Sequence, residues 1–159
     1  MQIYLLRHGI AEDGRAGQRD AERALTDEGG KKLRAVLKRA RDAGTEPTLI
    51  VTSPYRRAVE TAEIAASVLG YKGELLRTNA LEPHSTPEAV WEELRLHGEE
   101  AQVLLAGHEP LFSALGAFLL GTPSALIDFK KGALLRVDVD SMGPQPRGVL
   151  RWFLAPKLA

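Results

Sequence analysis

The sequence contains no cysteine. Disulfides, thiolate metal sites and a cysteine nucleophile are therefore excluded. An excess of one sign of charge is absent too, because 21 basic and 21 acidic residues give a formal net charge of zero. A balanced chain argues against a dedicated binder of nucleic acid or of a membrane surface. Any attraction for an anion must then come from a local cluster of basic side chains.

Long apolar runs are also missing. No stretch approaches the roughly 20 residues of a membrane-spanning helix. The short apolar run at residues 3–6 has no basic segment before it, so no signal peptide is predicted and a cytoplasmic location is expected. The 159 residues, 44% hydrophobic and 26% charged, are typical of one soluble globular domain, which we expect to span residues 1–159.

Hydrophobic patterns predict an alternation of strands and helices. Short apolar runs predict buried strands at residues 3–6, 49–52 and 103–106, with a further short strand at 74–78. Cap residues and helical spacing predict helices over residues 26–43, 53–69, 86–97 and 109–120. Alternating segments at 133–140 and 149–154 predict an antiparallel hairpin, and the polar residues 10–23 predict a long loop. We expect a three-layer α/β/α fold with a mostly parallel central sheet and helices on both faces.

Polar side chains gather where three of the predicted strands end. Open α/β sheets bind ligands at the carboxyl ends of their strands. The first strand is followed by Arg7-His8-Gly9, the second by Ser53 and then by Arg56 and Arg57, and the strand at 103–106 by Gly107-His108. If these strands are neighbours, two histidines and at least two arginines converge at one edge of the sheet.

This set of side chains suits phosphoryl chemistry. A guanidinium group matches phosphate oxygens in a bidentate manner and is always charged. A neutral imidazole can attack phosphorus and form a phosphohistidine. With no cysteine and no clear metal cage, histidine is the natural nucleophile. Gly9 would let the backbone approach a phosphate closely, and Ser53 could add a hydroxyl or backbone donor near a helix start.

Four segments resemble the motifs of the histidine phosphatase superfamily, which includes the phosphoglycerate mutases, and they occur in that family's order between residues 3 and 120. The segments are Leu6-Arg7-His8-Gly9, Leu25-Thr26-Asp27-Glu28-Gly29, Thr52-Ser53-Pro54-Tyr55-Arg56-Arg57-Ala58 and Gly107-His108-Glu109-Pro110. The short chain, Arg23 before Leu25-Thr26, and Gly-His-Glu-Pro are similar to the SixA branch of phosphohistidine phosphatases. The resemblance implies a phosphoglycerate mutase-like fold.

The resemblance also implies roles for individual residues. It implies that His8 is the nucleophile and that Arg7, Arg57 and His108 form the phosphate pocket. It places Glu82 near the position where many members carry a catalytic acid, although SixA-like members vary there. It further implies that the substrate is a phosphohistidine on a protein domain and that neither a cofactor nor a metal is needed.

Several alternatives stay open at this point. Arg56 could replace Arg57 as the main phosphate ligand, and Arg23 could contact substrate or only pair with a carboxylate. Glu82 could be the proton donor, a substrate contact or a surface carboxylate. A metal site that groups His8, His108 and Glu82 is disfavoured, since short ligand spacing is missing and arginines beside a cation are unfavourable.

Two further functions compete with the phosphohistidine phosphatase. One is a phosphatase for a small O-phosphomonoester, such as a sugar phosphate or a nucleotide-derived phosphate, which would need its leaving alkoxide protonated. The other is a module that binds phosphate or phosphohistidine without chemistry. The presence of both histidines, of Arg7 and of the second arginine motif argues against a module without chemistry.

Overall fold

Strand β1 (Gln2–Arg7) lies in the middle of a six-stranded sheet in a computed structural model that describes residues 1–159. The strand order is β3-β2-β4-β1-β5-β6, and β1 to β4 run parallel to one another. β5 is antiparallel to β1, and β6 to β5, which confirms the predicted hairpin. The remaining strands are β2 (Leu49–Thr52), β3 (Leu75–Arg77), β4 (Gln102–Gly107), β5 (Leu134–Asp138) and β6 (Val149–Leu154).

Four helices cover the two faces of the sheet. They are α1 (Asp27–Asp42), α2 (Arg56–Leu69), α3 (Pro87–Arg95) and α4 (Leu111–Leu119). Alternate residues of β1 face opposite layers: Tyr4 and Leu6 pack with α1 and α2, whereas Ile3 and Leu5 pack with α3 and α4. This arrangement confirms the predicted three-layer α/β/α fold. None of the helices combines the length and apolar character required to cross a bilayer.

Two helices begin later than their sequences predict. Ser53 still belongs to the sheet pattern, because its N–H donates to the carbonyl of Ala106 at 3.0 Å, and α2 starts only at Arg56. In α4, Pro110 takes the N-cap position and the first helical residue is Leu111. The predicted loop at 10–23 contains one short 3₁₀ turn, Asp20–Glu22. These shifts leave His108 and Ser53 in extended connections directly after their strands.

The register of the parallel strands aligns their carboxyl ends. Arg7 is opposite Gly107, and Thr52 is opposite Ala106, so β1, β4 and β2 end within one residue of each other. The pairing continues one step further, because the N–H of His8 donates to the carbonyl of Gly107 at 2.9 Å. The residues that follow the three strands therefore lie side by side, with the β4 connection in the middle.

Small residues bring α1 close to the end of β1. A Cβ atom on Gly29 would collide with the backbone of Ile10, and one on Gly9 would lie 2.8 Å from Leu33 Cδ1. Thr26 caps the helix by accepting a hydrogen bond from Gly29 N at 3.0 Å. The first turn of α1 is thus held directly against the segment that follows β1, and this packing limits how far that segment can move.

Candidate active site

The three aligned strand ends bring His8, Ser53 and His108 together. His8 and His108 are 6% and 1% exposed, and their ring centroids are 5.2 Å apart. His108 Nε2 lies 2.8 Å from Ser53 Oγ. The convergence predicted from the sequence is therefore present, with His108 between the residues contributed by β1 and β2.

The backbone determines which nitrogen of His8 carries the proton. His8 Nδ1 lies 2.7 Å from the carbonyl oxygen of Gly9, which can only accept a hydrogen bond. Nδ1 must therefore be the protonated nitrogen, and Nε2 keeps its lone pair. Arg57 Nε donates a hydrogen bond to this Nε2 at 3.4 Å. The unprotonated nitrogen of the imidazole thus faces a guanidinium group.

The surroundings also keep His8 neutral. Burial lowers the pKa of His8 to about 4; the hydrogen bond to the Gly9 carbonyl opposes this shift, and the charges of Arg57, Arg7 and Lys131 add to it. Burial, together with the nearby His8 and Arg57, also lowers the pKa of His108 far below its ordinary value. At neutral pH the site therefore holds two uncharged imidazoles beside two cationic arginines.

Arg57 is held by a segment outside the sheet. The 3₁₀ turn at Asp20–Glu22 places Asp20 against the guanidinium, whose Nη1 and Nη2 donate to the Asp20 carbonyl at 2.9 Å and to its carboxylate at 3.0 Å. Arg57 is only 5% exposed, and its guanidinium carbon lies 5.0 Å from the ring centroid of Tyr55. The Asp20 oxygens therefore occupy N–H groups that a phosphate would need.

Asp20 was not singled out by the sequence, because it lies in a polar loop 37 residues from Arg57. Partial burial would raise the pKa of Asp20, but hydrogen bonds from Arg23 and Arg57 lower it overall. Arg23 Nη2 lies 2.8 Å from Asp20 Oδ1, and Arg23 Nη1 donates to the carbonyl of Glu12 at 3.0 Å. Arg23 thus reaches the site indirectly, through the carboxylate that it shares with Arg57.

Arg7 has one N–H donor without an acceptor. Its Nη1 donates to the carbonyl of Phe129 at 2.6 Å, whereas its buried Nε has no hydrogen-bond partner. Burial lowers the pKa of Arg7, and the charges of Glu109 and Asp128 oppose the shift. A buried donor without an acceptor costs about 1–3 kcal/mol, so an oxyanion bound beside Arg7 would satisfy a group that the protein leaves unpaired.

Thr61 connects Arg57 to the end of β1. Its hydroxyl donates to the carbonyl of Arg57 at 2.7 Å and accepts from the N–H of Gly9 at 3.2 Å. The first bond is the back-bond to the fourth preceding carbonyl that threonine commonly forms within helices. The four-residue spacing of Arg57 and Thr61 within one helix is the sequence feature from which this contact could have been inferred. The second bond engages the Gly9 N–H, which the sequence had suggested as a close neighbour of phosphate.

The other predicted residues contact partners outside this cluster. Arg56 is directed outward and lies 3.5 Å from Glu60, with 59% of its side chain exposed. Glu82 follows the 3₁₀ turn Asn79–Leu81, and its carboxylate lies 3.2 Å from His84 Nε2 with 22% of its side chain exposed. The substrate-binding role of Arg56 and the proton-donor role of Glu82 stay predictions.

Comparison with known proteins identifies relatives. Residues 3–82 match the family described as the histidine phosphatase superfamily, branch 1. An uncharacterised protein of the cyanobacterium Picosynechococcus sp. PCC 7002 is 32% identical over 139 residues, which cover 85% of this chain and 83% of that protein. The family match covers three of the four motifs: the two arginine segments and the helix-opening element, which all lie within residues 3–82.

Solved structures share the fold over nearly the whole chain. The protein histidine phosphatase SixA complexed with tungstate is 26% identical, with a TM-score of 0.86 and coverage of 99% of this chain and 98% of that one. A structure assigned as the phosphohistidine phosphatase SixA of Agrobacterium tumefaciens is 25% identical, with a TM-score of 0.82 and coverage of 98% and 97%. A mycobacterial glucosyl-3-phosphoglycerate phosphatase, 20% identical with a TM-score of 0.72 and coverage of 97% and 99%, shares the fold.

The state of the His8 imidazole can be measured by nitrogen NMR across a pH titration. We expect the Nδ1–H tautomer at pH 7 and a single titration midpoint near pH 4. Because the unfolded chain accepts the proton near pH 6.5, the His8 contribution to folding stability is complete above that pH and is lost as the pH falls toward 4. A midpoint near 6.5, or a proton on Nε2, would contradict the arrangement described above.

Removing the Asp20 carboxylate should free the Arg57 Nη2 donor. We expect Asp20→Ala to bind inorganic phosphate about three- to tenfold more tightly, as measured by calorimetry, because a competing acceptor and a like charge are both removed. Glu22→Ala is the matched control, since Glu22 lies in the same turn but pairs with Arg19. Weaker phosphate binding by Asp20→Ala would show instead that Asp20 holds Arg57 in its binding orientation.

Proposed function

The chain belongs to the histidine phosphatase superfamily, and from this premise we propose that it is a phosphatase that works through a phosphoryl group on Nε2 of His8. The observation that carries the proposal is the state of that nitrogen. Nε2 is unprotonated because Nδ1 donates to the Gly9 carbonyl, and it lies 3.4 Å from the Arg57 guanidinium. An unprotonated nitrogen and a cationic donor therefore meet at one point, and the long hydrogen bond between them has to break as phosphorus approaches Nε2.

In the first step the Nε2 lone pair attacks phosphorus. The bond between phosphorus and the leaving group breaks, and its electron pair departs with the leaving group. Arg57 and the unpaired Arg7 Nε–H stabilise the phosphoryl oxygens while charge shifts among them. Because Asp20 oxygens hold both Nη atoms of Arg57, Asp20 has to release at least part of this guanidinium when phosphate enters.

In the second step water attacks the phosphorus atom. The bond from phosphorus to Nε2 breaks, and its electron pair returns to the imidazole, so inorganic phosphate leaves and His8 is regenerated. The two protons of water end on the phosphate product and the solvent. His108, neutral in the free site, gains proton affinity when a phosphate dianion lies beside it, because an opposite charge favours the protonated imidazole.

We infer that the substrate is a phosphohistidine carried by a protein domain. The similarity in fold and sequence to the SixA structures supports this choice. Imidazole is a far better leaving group than an alkoxide, so the reaction needs little help from a general acid. The Glu82 carboxylate, already engaged with the exposed His84, is compatible with that lower demand.

A labelled substrate tests both the activity and the nucleophile. A phosphohistidine domain carrying ³²P should transfer label to the protein within one turnover, giving an acid-labile and alkali-stable phosphoenzyme. His8→Ala should lose both the label and at least about a thousandfold of kcat, because it removes the Nε2 atom that accepts the phosphoryl group in the proposed route.

The matched control is His97→Ala, which removes a histidine that contacts Glu93 rather than any residue of the candidate site and should keep activity. Turnover by the His8→Ala protein would exclude the proposed nucleophile. Phosphate release by the wild type without any trapped label would exclude the covalent route. Tight phosphate binding with no turnover of any phosphorylated compound would identify the chain as a non-catalytic binding module.

A small O-phosphomonoester is the second candidate substrate, and the position of Glu82 is the observation that favours it. The carbonyl of Leu81 lies 3.5 Å from the site where a Cβ on Gly107 would stand, so Glu82 follows a residue packed on the catalytic end of β4. A carboxylate near that edge could protonate an alkoxide leaving group.

Glu82→Gln separates the two substrates. If the substrate is phosphohistidine, we expect its turnover to change less than about threefold, since general acid catalysis typically contributes 10²–10⁴-fold only where it is required. Alkyl phosphates should be turned over slowly by wild type and variant alike. Fast turnover of an alkyl phosphate that falls about a hundredfold in Glu82→Gln, but not in His84→Ala, would favour the small-ester function.

A further inference from the structure

A second positively charged site lies beside Arg7, away from His108. It is a cavity of about 430 Å³, and we call it the basic cavity. Five of its eight lining residues are cationic and none is acidic. The cationic residues are Arg7, Lys32, Lys130, Lys131 and Lys157. Because the whole chain has equal numbers of acidic and basic residues, the positive charge of this cavity is a local feature.

Nearby carboxylates neutralise only part of this charge. Lys32 lies 3.1 Å from Glu28, and Lys130 lies 3.2 Å from Asp128. At least half of each of these four side chains is exposed, so solvent weakens both pairs. Lys131 and Lys157, which also line the cavity, form no ion pair. The basic cavity therefore keeps donors that are available to an anion.

Backbone hydrogen bonds fix the turn that carries Lys130 and Lys131 to the end of β1. The N–H of Gly132 donates to the carbonyls of both Arg7 and His8 at 3.1 Å, and Ala133 N donates to the carbonyl of Lys130 at 3.0 Å. Gly132 has a φ of +75°, which disfavours any residue with a side chain there. Lys131 therefore directly precedes Gly132, whose N–H contacts the backbone of His8. The charge of Lys131 also contributes to the lowered pKa of His8.

The wall opposite this turn comes from the end of the chain. Pro156 and Lys157 belong to the 3₁₀ turn Pro156–Leu158, and Pro156 Cγ lies 3.4 Å from the position of a Cβ on Gly132. Lys32 projects from the first half of α1. Four separate segments therefore contribute cations to one cavity, and Arg7 belongs to both this cavity and the cluster around His8.

We propose that the basic cavity binds a second oxyanion, a phosphate or carboxylate group, that belongs to the same molecule whose phosphoryl group reacts at His8. The proposal rests on the phosphatase function and specifies its substrate class. The substrate carries at least two anionic groups. One lies at Nε2 of His8 and the other on the far side of Arg7, where Lys131 and Lys157 supply charge-assisted hydrogen bonds.

Bisphosphates of graded length test the proposal over a range of distances between the two anionic groups. The series consists of straight-chain alkanediol bisphosphates with two to eight methylene groups, each compared with the alkyl monophosphate of equal length. Binding is measured by calorimetry on His8→Ala, which cannot turn the compounds over. We expect at least one bisphosphate to bind about tenfold or more tightly than its monophosphate, as one charge-assisted contact provides. Added salt should reduce the difference.

The double variant Lys131→Gln/Lys157→Gln, made in the His8→Ala protein, should remove this preference. Lys38→Gln/Lys72→Gln is the matched control, because it removes two exposed lysines outside the cavity and should preserve the preference. Thermal melting checks that both variants fold. The proposal is overturned if no member of the series binds more tightly than its monophosphate, or if the preference survives loss of Lys131 and Lys157.

KM values measured with a phosphohistidine domain and with a bisphosphate show which kind of molecule supplies the second anion. If acidic side chains of a protein supply it, Lys131→Gln/Lys157→Gln in the otherwise native enzyme should raise KM for the domain about tenfold with kcat nearly unchanged. If a small bisphosphate supplies it, KM should rise only for the bisphosphate. A preference for bisphosphates without turnover of any substrate by the native enzyme would refute the phosphatase function but support the second anion site. Turnover without that preference would support the phosphatase function and refute the second anion site.

Discussion

The parallel register of β1, β4 and β2 is the constraint on which the site depends. Arg7 opposite Gly107 and Thr52 opposite Ala106 end the three strands at one level. A shift of one residue in either pairing would turn alternate side chains to the opposite face. Both faces of β1 are apolar, so side-chain shape opposes such a shift: Tyr4 and Leu6 fill the space under α1 and α2, whereas Ile3 and Leu5 fit against α3 and α4. Core packing thus fixes the level at which Arg7, His8 and His108 leave the sheet.

Burial then gives those groups their chemical states. An exposed histidine would be partly protonated near neutral pH, whereas His8 in its low-dielectric position stays neutral, as the proposed nucleophile must be. The arginines stay charged in the same surroundings because the guanidinium holds its proton far more strongly. Neutral base and fixed cation therefore coexist within one cluster. The single hydrogen bond from Nδ1 to the Gly9 carbonyl selects which nitrogen can react.

The sequence predicted those parts of the site that follow directly from strand ends. His8 and His108 each come directly after a strand with a buried apolar run, so their convergence required only that the strands be neighbours. Arg57 could not be chosen over Arg56 from residue type alone, because adjacent positions on a helix point in directions about 100° apart. The rotation of α2 directs Arg57 inward to His8, whereas Arg56 meets Glu60 at the surface.

Asp20 and the basic cavity escaped prediction for a different reason. Neither follows from periodicity, because each is formed by segments far apart in the chain that meet only after the helices pack. Asp20 reaches Arg57 across 37 positions, and Lys157 meets the turn at Lys131 near the end of β1. The two features should act differently on anions: the Asp20 carboxylate would compete with phosphate at Arg57, whereas Lys131 and Lys157 would attract anions to the basic cavity. On these proposals a chain without net charge selects an anionic molecule by the positions of its charged groups, because the Asp20 carboxylate disfavours weakly bound anions and the lysines favour anions that also reach the basic cavity.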